Sequence, residues 1–494
     1  MERFFSLFFA FLTMLFSIVS CEPKNFPDGD ESGVLSDAVS DESYASVEDP
    51  SGESSEASSL DASEEVSDES RIVDEEGYKQ YLKVAEVDNI LANRGFKDLG
   101  ANKDYKPLNY TVMKAIWISQ FDFSPVYYTS KRQRSESSFK KLVEQAFDNV
   151  VDLGFNTIIV QVRPNTDSFY PSAYYPWSSY VLYSYGKKSS YDPLKIMIDE
   201  AHERGLSFQA WINPMRGMST SNLGKISDEY IMKQWVGTRK LYNYNSLNYL
   251  NIAFEDVRQL IINGAAEIVR NYNVDGVHMD DYFYFGEETA FDNVEYKAAK
   301  ASDSSLTLQQ FRYDNLNKLV SGIYSAIKAE NSNVLFGISP AGNLNRMATI
   351  YYADVRTWLS ESGYVDYIMP QIYFGMEHQT WSFPDTYERW SEIITNPEIR
   401  FMAGMSWGKA VSAYDGAGDQ YAGSGKNEWI NNKDVIKKCL EYAIEQDNFS
   451  GYAMFCYQYL FDPLSGKANV KTSSELANSK KYMTEVIQGE IIKY

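Results

Sequence analysis

The chain is poor in the residues from which metal and redox sites are built. It has three cysteines and three histidines in 494 residues. So few cysteines exclude a disulfide framework or a thiolate metal cluster. Cys439 falls in a helical pattern and Cys456 in an apolar strand pattern, where a thiol behaves as a small buried hydrophobe. The histidines, His202, His278 and His378, are scattered, and a metal site needs a fuller ligand set. No glycine-rich phosphate loop follows the first strand pattern, which argues against a dinucleotide fold. There is no basic stripe: 46 Lys and Arg stand against 68 Asp and Glu, a net charge of −22. Nucleic acid is therefore not an expected partner, and neither a cofactor nor a metal is called for.

Long apolar runs are also scarce. The one at the start, residues 4–19 after Arg3, is too short and too close to the terminus for a permanent membrane span. Residues 1–20 have the pattern of a secretory signal. The run ends Ile18-Val19-Ser20-Cys21, which resembles a bacterial lipobox. That resemblance implies cleavage before Cys21, lipidation of its thiol, and a bacterial envelope protein anchored to a membrane leaflet. Residues 22–70 hold 16 acidic residues against one lysine, so most of the net charge lies there. With few large apolar side chains, such a segment cannot offset its ordering entropy, and its like charges extend it. A disordered acidic tether is expected over 21–70, and a helix over 75–93 within a lead-in of 71–112.

From residue 113 onward, apolar runs alternate with helical patterns. Strands are expected at 115–119, 157–163, 207–213, 274–284, 334–339, 365–373, 400–405 and 451–457. Helices are expected at 139–153, from Asp192-Pro193 to Gly205, at 254–272 and at 308–330. Asp192 serves as a cap with Pro193 in the first turn, and Gly154 and Gly205 as helix ends. Strands that are apolar throughout imply a parallel sheet covered by helices. Eight such repeats over 113–470 predict an α/β fold, a closed (β/α)8 TIM-type barrel, with a C-terminal helical extension at 471–494. The alternative is an open doubly wound sheet.

One stretch stands out: Val274-Asp275-Gly276-Val277-His278-Met279-Asp280-Asp281-Tyr282-Phe283-Tyr284. It begins as a strand and ends in two adjacent carboxylates followed by aromatics. Asp is disfavoured within a strand, yet at its C-terminal end it either projects into a cleft or caps the following turn. In these barrels that end carries the active site. The strand ends together supply Asp122; Arg163, Asn165 and Asp167; Trp211, Asn213 and Arg216; His278, Asp280 and Asp281; Ser339 and Asn343; Gln371, Tyr373 and Glu377; Trp407; and Gln458 and Tyr459. Amides and Arg hydrogen-bond hydroxyls, while Trp and Tyr faces stack on pyranose rings. On the known preferences of loop Asn and Asp, about half of these are expected only to cap helices or close loops.

Several segments resemble the glycosyl-hydrolase-like 10 family. They are Val162-Arg163-Pro164-Asn165-Thr166-Asp167-Ser168-Phe169-Tyr170-Pro171-Ser172, Ala201-His202-Glu203-Arg204-Gly205, Trp211-Ile212-Asn213-Pro214, the 275–284 stretch and Met369-Pro370-Gln371-Ile372-Tyr373. The resemblance runs in order from about Lys114 to Phe461. It implies an exported bacterial (β/α)8 glycosidase fold, distantly similar to α-amylase-type barrels. Some members are envelope lipoproteins that cut peptide-stripped peptidoglycan strands. The wider group carries Asp-Gly-x-Arg-x-Asp on strand four, its last Asp the nucleophile. Asp275-Gly276-Val277-His278-Met279-Asp280 departs from it at His278, and the resemblance places the nucleophile on Asp280. The Glu that the amylase-type group carries after strand five has no counterpart in Ser339-Pro340-Ala341-Gly342-Asn343.

Glycoside hydrolysis needs one protonated and one charged carboxylate. The expectation is therefore a glycosidase acting on an envelope or extracellular polysaccharide. Asp280 acts as nucleophile or base, and the acid candidates are Asp281, Asp167 and Glu377. Asp281 qualifies only if the backbone turns there. Arg163, Asn165, Asn213, His278, Asn343 and Gln371 are polar substrate contacts. Trp211, Tyr282, Tyr373 and Trp407 are stacking candidates. Two other readings use the same residues: a metal-dependent polysaccharide deacetylase liganded by His278, Asp280 and Asp281, and a non-catalytic glycan-binding barrel at the cell surface.

Overall fold

A computed structural model describes residues 104–494, residue 287 excepted. The signal sequence, Cys21, the acidic tether and the helix expected at 75–93 lie outside the described residues.

Eight parallel strands close into a barrel in chain order. They are β1 (Met113–Ile118), β2 (Thr157–Arg163), β3 (Ser207–Ile212), β4 (Gly276–Met279), β5 (Leu335–Ile338), β6 (Tyr367–Ile368), β7 (Arg400–Ser406) and β8 (Phe449–Phe455). β1 pairs with both β2 and β8, which closes the ring. The sheet is thus a (β/α)8 barrel and not an open doubly wound one. Outside it run α1 (Glu136–Asp152), α2 (Pro193–Glu203), α3 (Glu255–Asn271), α4 (Leu308–Glu330), α5 (Val355–Ser360), α6 (Phe383–Glu392) and α7 (Val435–Ile444). Side chains of Ser135, Asp192 and Thr307 cap the first turns of α1, α2 and α4.

Alternation along the strands separates two apolar cores. Ile116, Ile158, Val160, Phe208, Val277, Phe336 and Ile368 face the helices. Met113, Ala115, Trp117, Ile159, Trp211, Tyr367, Met369, Met402 and Ala453 fill the lumen. Both faces are buried, so the strands read as continuous apolar runs. Two strands are shorter than expected by more than two residues. β6 is two residues long, because Pro370 has no N–H for the ladder. β4 ends at Met279, where the first of the two carboxylates begins.

Asp275 closes the bottom of the barrel. Its Oδ1 accepts from the Tyr105 hydroxyl (2.6 Å) and the Leu108 N–H (2.5 Å). Its Oδ2 accepts from the Phe208 N–H (2.7 Å) and lies 2.8 Å from His202 Nε2. The Asp of the Asp-Gly pair is therefore a structural tie, and His202 is turned toward it. Beneath the strand starts, Tyr110 pairs antiparallel with Ile491. Thr111 donates its N–H to the Glu490 carbonyl, and Ile492 to that of Asn109. Both ends of the described chain therefore lie at the N-terminal end of the barrel, opposite the strand C-termini.

Candidate active site

The strand-four turn is built by its own carboxylate. The Asp280 Oδ1 accepts the N–H of Tyr282 at 3.2 Å, and Phe283 donates its N–H to the Asp281 carbonyl at 2.8 Å. The backbone thus turns at Asp280, which is the condition for Asp281 to share its site. The Oδ2 of Asp280 accepts the indole N–H of Trp211, on the neighbouring strand, at 2.8 Å. Asp280 is 3% exposed, while Asp281 is half-buried. Burial, and then the adjacent Asp281 charge, push the Asp280 carboxyl well above the usual carboxylate range. The bonds from Trp211 and Tyr282 and the charge of Arg216 act the other way. Burial and the neighbouring charge thus favour the protonated form of Asp280, against the pull of its two donors and of Arg216.

Arg216 comes from a three-stranded antiparallel sheet, Arg216–Ser219, Leu241–Tyr244 and Leu247–Leu250, inserted after β3. Its guanidinium lies 4.9 Å from the centre of the Tyr282 ring. Sequence reading sets Arg216 among the strand-end groups, and the structure brings its charge to bear on Asp280 there.

Below this layer, His278 is sealed in the lumen at 0% exposure. Its Nε2 accepts from the indole N–H of Trp117 (3.3 Å) and lies 2.8 Å from the Ser339 hydroxyl. An indole N–H can only donate, which assigns the ring proton to Nδ1. That proton faces the Tyr367 hydroxyl at 2.9 Å. Burial lowers the His278 pKa to about 3, so the ring is neutral. It supports the floor and, contrary to expectation, is not a substrate contact. With both nitrogens engaged it is not a metal ligand either. Among the described residues no three His, Cys, Asp or Glu side chains converge on a metal position.

Other mouth residues fall as the strand ends imply. Gln161 on β2 accepts the Gln120 N–H and donates its amide to Asn213 Oδ1 at 2.8 Å. The amide nitrogen of Asn213 is buried without a protein partner. Gln371 donates to the Ser339 carbonyl at 2.9 Å. Tyr373 stacks against Phe455, whose ring also meets Trp117 and Tyr459. Trp211 is 6% exposed and acts chiefly as a donor to Asp280, with little free face for stacking. Asn165 is half-buried, its N–H donated to Asp167.

Five other expected site residues have different work. The ladder shifts between Gln161 and Arg163, and this bulge turns Arg163 out of the lumen. Its guanidinium sits 4.7 Å from the Tyr175 ring centre and against Gly264 of α3. Asp167 is fully buried and holds the loop after β2, accepting from the Tyr185 hydroxyl (2.8 Å) and the Asn165 N–H. Glu377 is exposed, its N–H bonded to the buried Glu428, and its charge acts on Glu428 and on Lys438 of α7. Asn343 caps the short helix Leu344–Thr349. Trp407 is 0% exposed and offers no face to a sugar. Of the four carboxylates expected at the site, Asp280 and Asp281 share the turn at the end of β4.

The family model described as "Glycosyl hydrolase-like 10" matches residues 112–421. Glycosyl hydrolase YngK of Bacillus subtilis (strain 168) is 34% identical over 326 residues, covering 61% of this chain and 62% of that protein. The match thus spans less than two thirds of the length of that relative. Glycosyl hydrolase DigH of Escherichia coli (strain K12) is 28% identical over 391 residues, covering 72% of this chain and 85% of that one. Among solved structures, the PgaB (BpsB) glycoside hydrolase domain from Bordetella bronchiseptica aligns with a TM-score of 0.48 at 10% identity, covering 74% of this chain and 98% of that one. The match covers more than half of the chain and most of the barrel, and the chain belongs to the glycosyl hydrolase-like 10 family.

Proposed function

We propose that this protein is a glycoside hydrolase that cleaves a bacterial envelope or extracellular polysaccharide at the Asp280–Asp281 mouth. Peptide-stripped peptidoglycan glycan strands are the candidate substrate. The observation that carries the reading is the carboxylate pair itself. One member is buried with its pKa raised and is held by two donors, and its neighbour is half-buried beside it. Such a pair supplies a proton to the leaving oxygen and a charged carboxylate to the cationic transition state. Tyr282, Tyr373 and Phe455 give the mouth aromatic surface for sugar rings, and Arg216, Asn213 and Gln371 give it donors. Family membership and the names of YngK and DigH support the same activity. On this reading a lipidated Cys21 and the acidic segment 22–70 hold the barrel within reach of envelope glycan.

The test is incubation with peptidoglycan, peptide-stripped peptidoglycan and an α-glucan, with products read by mass spectrometry. New saccharides that disappear in Asp280→Ala are expected. Binding without any turnover would favour a glycan-binding barrel, and release of acetate without chain cleavage a deacetylase.

A further inference from the structure

A second point of glycan contact, resting on the glycosidase reading, follows from one exposed ring. The helix Gln120–Tyr127 begins just after β1 and therefore stands at the C-terminal end of the barrel. Its start is held from several sides. Ser119 caps it and shares a capping box with Asp122. Asp122, fully buried, also accepts the Gln458 N–H at 2.6 Å, which ties the helix to the loop after β8. The Gln120 N–H is donated to Oε1 of Gln161 on β2 at 3.0 Å. Apart from a half-buried Pro125, the helix is buried except at Phe121, which is 39% exposed. Among the described residues no other phenylalanine is exposed. One exposed ring means little by itself, but this one has a partner and stands at the mouth.

We propose that Phe121 and Tyr180 form a sugar-stacking subsite beside the Asp280–Asp281 mouth, taking the apolar face of a pyranose ring in the part of the glycan chain beyond the bond that is cut. Tyr180 is half-buried on the short helix Ser179–Leu182, in the loop after β2. It meets Phe121 edge to face, with ring centres 6.0 Å apart and planes at 89°. Behind it, the buried Phe169 ring lies 6.3 Å away, so the corner has a packed back. The Tyr180 side chain also lies beside Gln120 and in the field of Arg216, whose charge acts on Asp280 as well.

A relay of amides joins this corner to the carboxylates, and its direction is fixed. A backbone N–H only donates, so the Gln120 N–H claims Oε1 of Gln161, and the Gln161 amide N–H is left to donate to Oδ1 of Asn213 at 2.8 Å. These contacts cross from the end of β1 over β2 to β3, whose neighbour β4 leads into Asp280. Nδ2 of Asn213 is left buried with no protein partner, an orphan of the kind that a bound hydroxyl satisfies. A flat apolar ring flanked by amides and the Arg216 guanidinium matches a pyranose, which is apolar on its face and polar at its rim. An apolar peptide would leave those donors unmatched.

The test uses the full-length chain on peptidoglycan, on its peptide-stripped strands and on an α-glucan, with short oligosaccharides of each glycan alongside. On the glycan that is cut, Phe121→Ala and Phe121→Leu should raise KM for long chains roughly five- to tenfold, on the apolar area that one ring face covers. They should lower kcat much less, as loss of binding common to the ground and transition states does. The rise in KM should be smaller on the shortest oligosaccharide cleaved, and Phe121→Trp should restore the parent value. Thermal melts check that the variants fold. An unchanged KM in Phe121→Ala, a parent-like KM in Phe121→Leu, or equal rises on long and short chains overturns the subsite and leaves the glycosidase reading standing. Cleavage of none of these glycans by the parent chain removes both.

Discussion

The indole N–H of Trp211 is donated to Oδ2 of Asp280 across 2.8 Å, from one barrel strand to the next. A hydrogen bond to a charged group contributes about 1.5–3 kcal/mol, and it favours the charged form. Trp211→Phe keeps an aromatic ring in the lumen and removes the donor. We expect glycan cleavage to fall roughly ten- to a hundredfold on that energy. The acid limb of the pH–rate profile should move to higher pH, since Asp280 then takes its proton more readily. An unmoved limb would disconnect this bond from catalysis.

The neutral His278 makes a separate prediction. With its pKa lowered to about 3, it should not titrate between pH 5 and 8. Nitrogen-detected NMR should show one imidazole that remains protonated on Nδ1 alone throughout that range. A ring that gains its second proton near the ordinary value would contradict the sealed Trp117–His278–Tyr367 arrangement.

Gly264 on α3 is required by its neighbours. A Cβ there would lie 2.4 Å from Arg163 Nη1 and 2.4 Å from Tyr175 Cε2. Arg163 and Tyr175 are both buried and cannot swing into solvent. Gly264→Ala should lower stability by about 1–3 kcal/mol, the range for overpacked cores. Thermal unfolding reads this, and activity per folded molecule should be nearly unchanged because the clash lies behind the barrel wall.

Glu267, one helical turn further on, accepts from the Ser172 hydroxyl and the Ala173 N–H. Burial raises its pKa to about 7 from an ordinary 4.5. The folded protein then holds this proton more tightly than the unfolded chain does. Stability present below pH 4.5 is lost as the pH rises through about 7. Glu475, also raised to about 7, acts in the same direction. Urea titrations at pH 4.5 and 7.5 should show a smaller loss in Glu267→Gln than in the parent chain. An equal loss in both would place the proton elsewhere.

The barrel was legible because its strands are buried on both faces, which leaves unbroken apolar runs such as residues 157–163. The long helix Leu308–Glu330 was legible from its period and from Thr307 as its cap. What escaped depended on single-residue events. One bulge between Gln161 and Arg163 sends a strand-end arginine outward, and a one-residue slip always exchanges the faces of a strand. Trp407 follows β7 directly, yet it starts the helix Gly408–Tyr414 and is buried. Arg216 was legible as a strand-end group, whereas its seat over the Tyr282 ring depends on how an inserted sheet folds back. The doublet Asp280-Asp281 was visible as an anomaly at a strand end. Its division into a buried and a half-buried member required the turn.

The pairing of residues 109–111 with 490–492 fixes how the molecule can be presented. Whatever is joined to either end of the described chain, whether a solid support, a reporter domain or a lipid, attaches on the side away from the mouth. A support or reporter joined directly at residue 109 or 492 therefore leaves entry to the strand C-termini unobstructed.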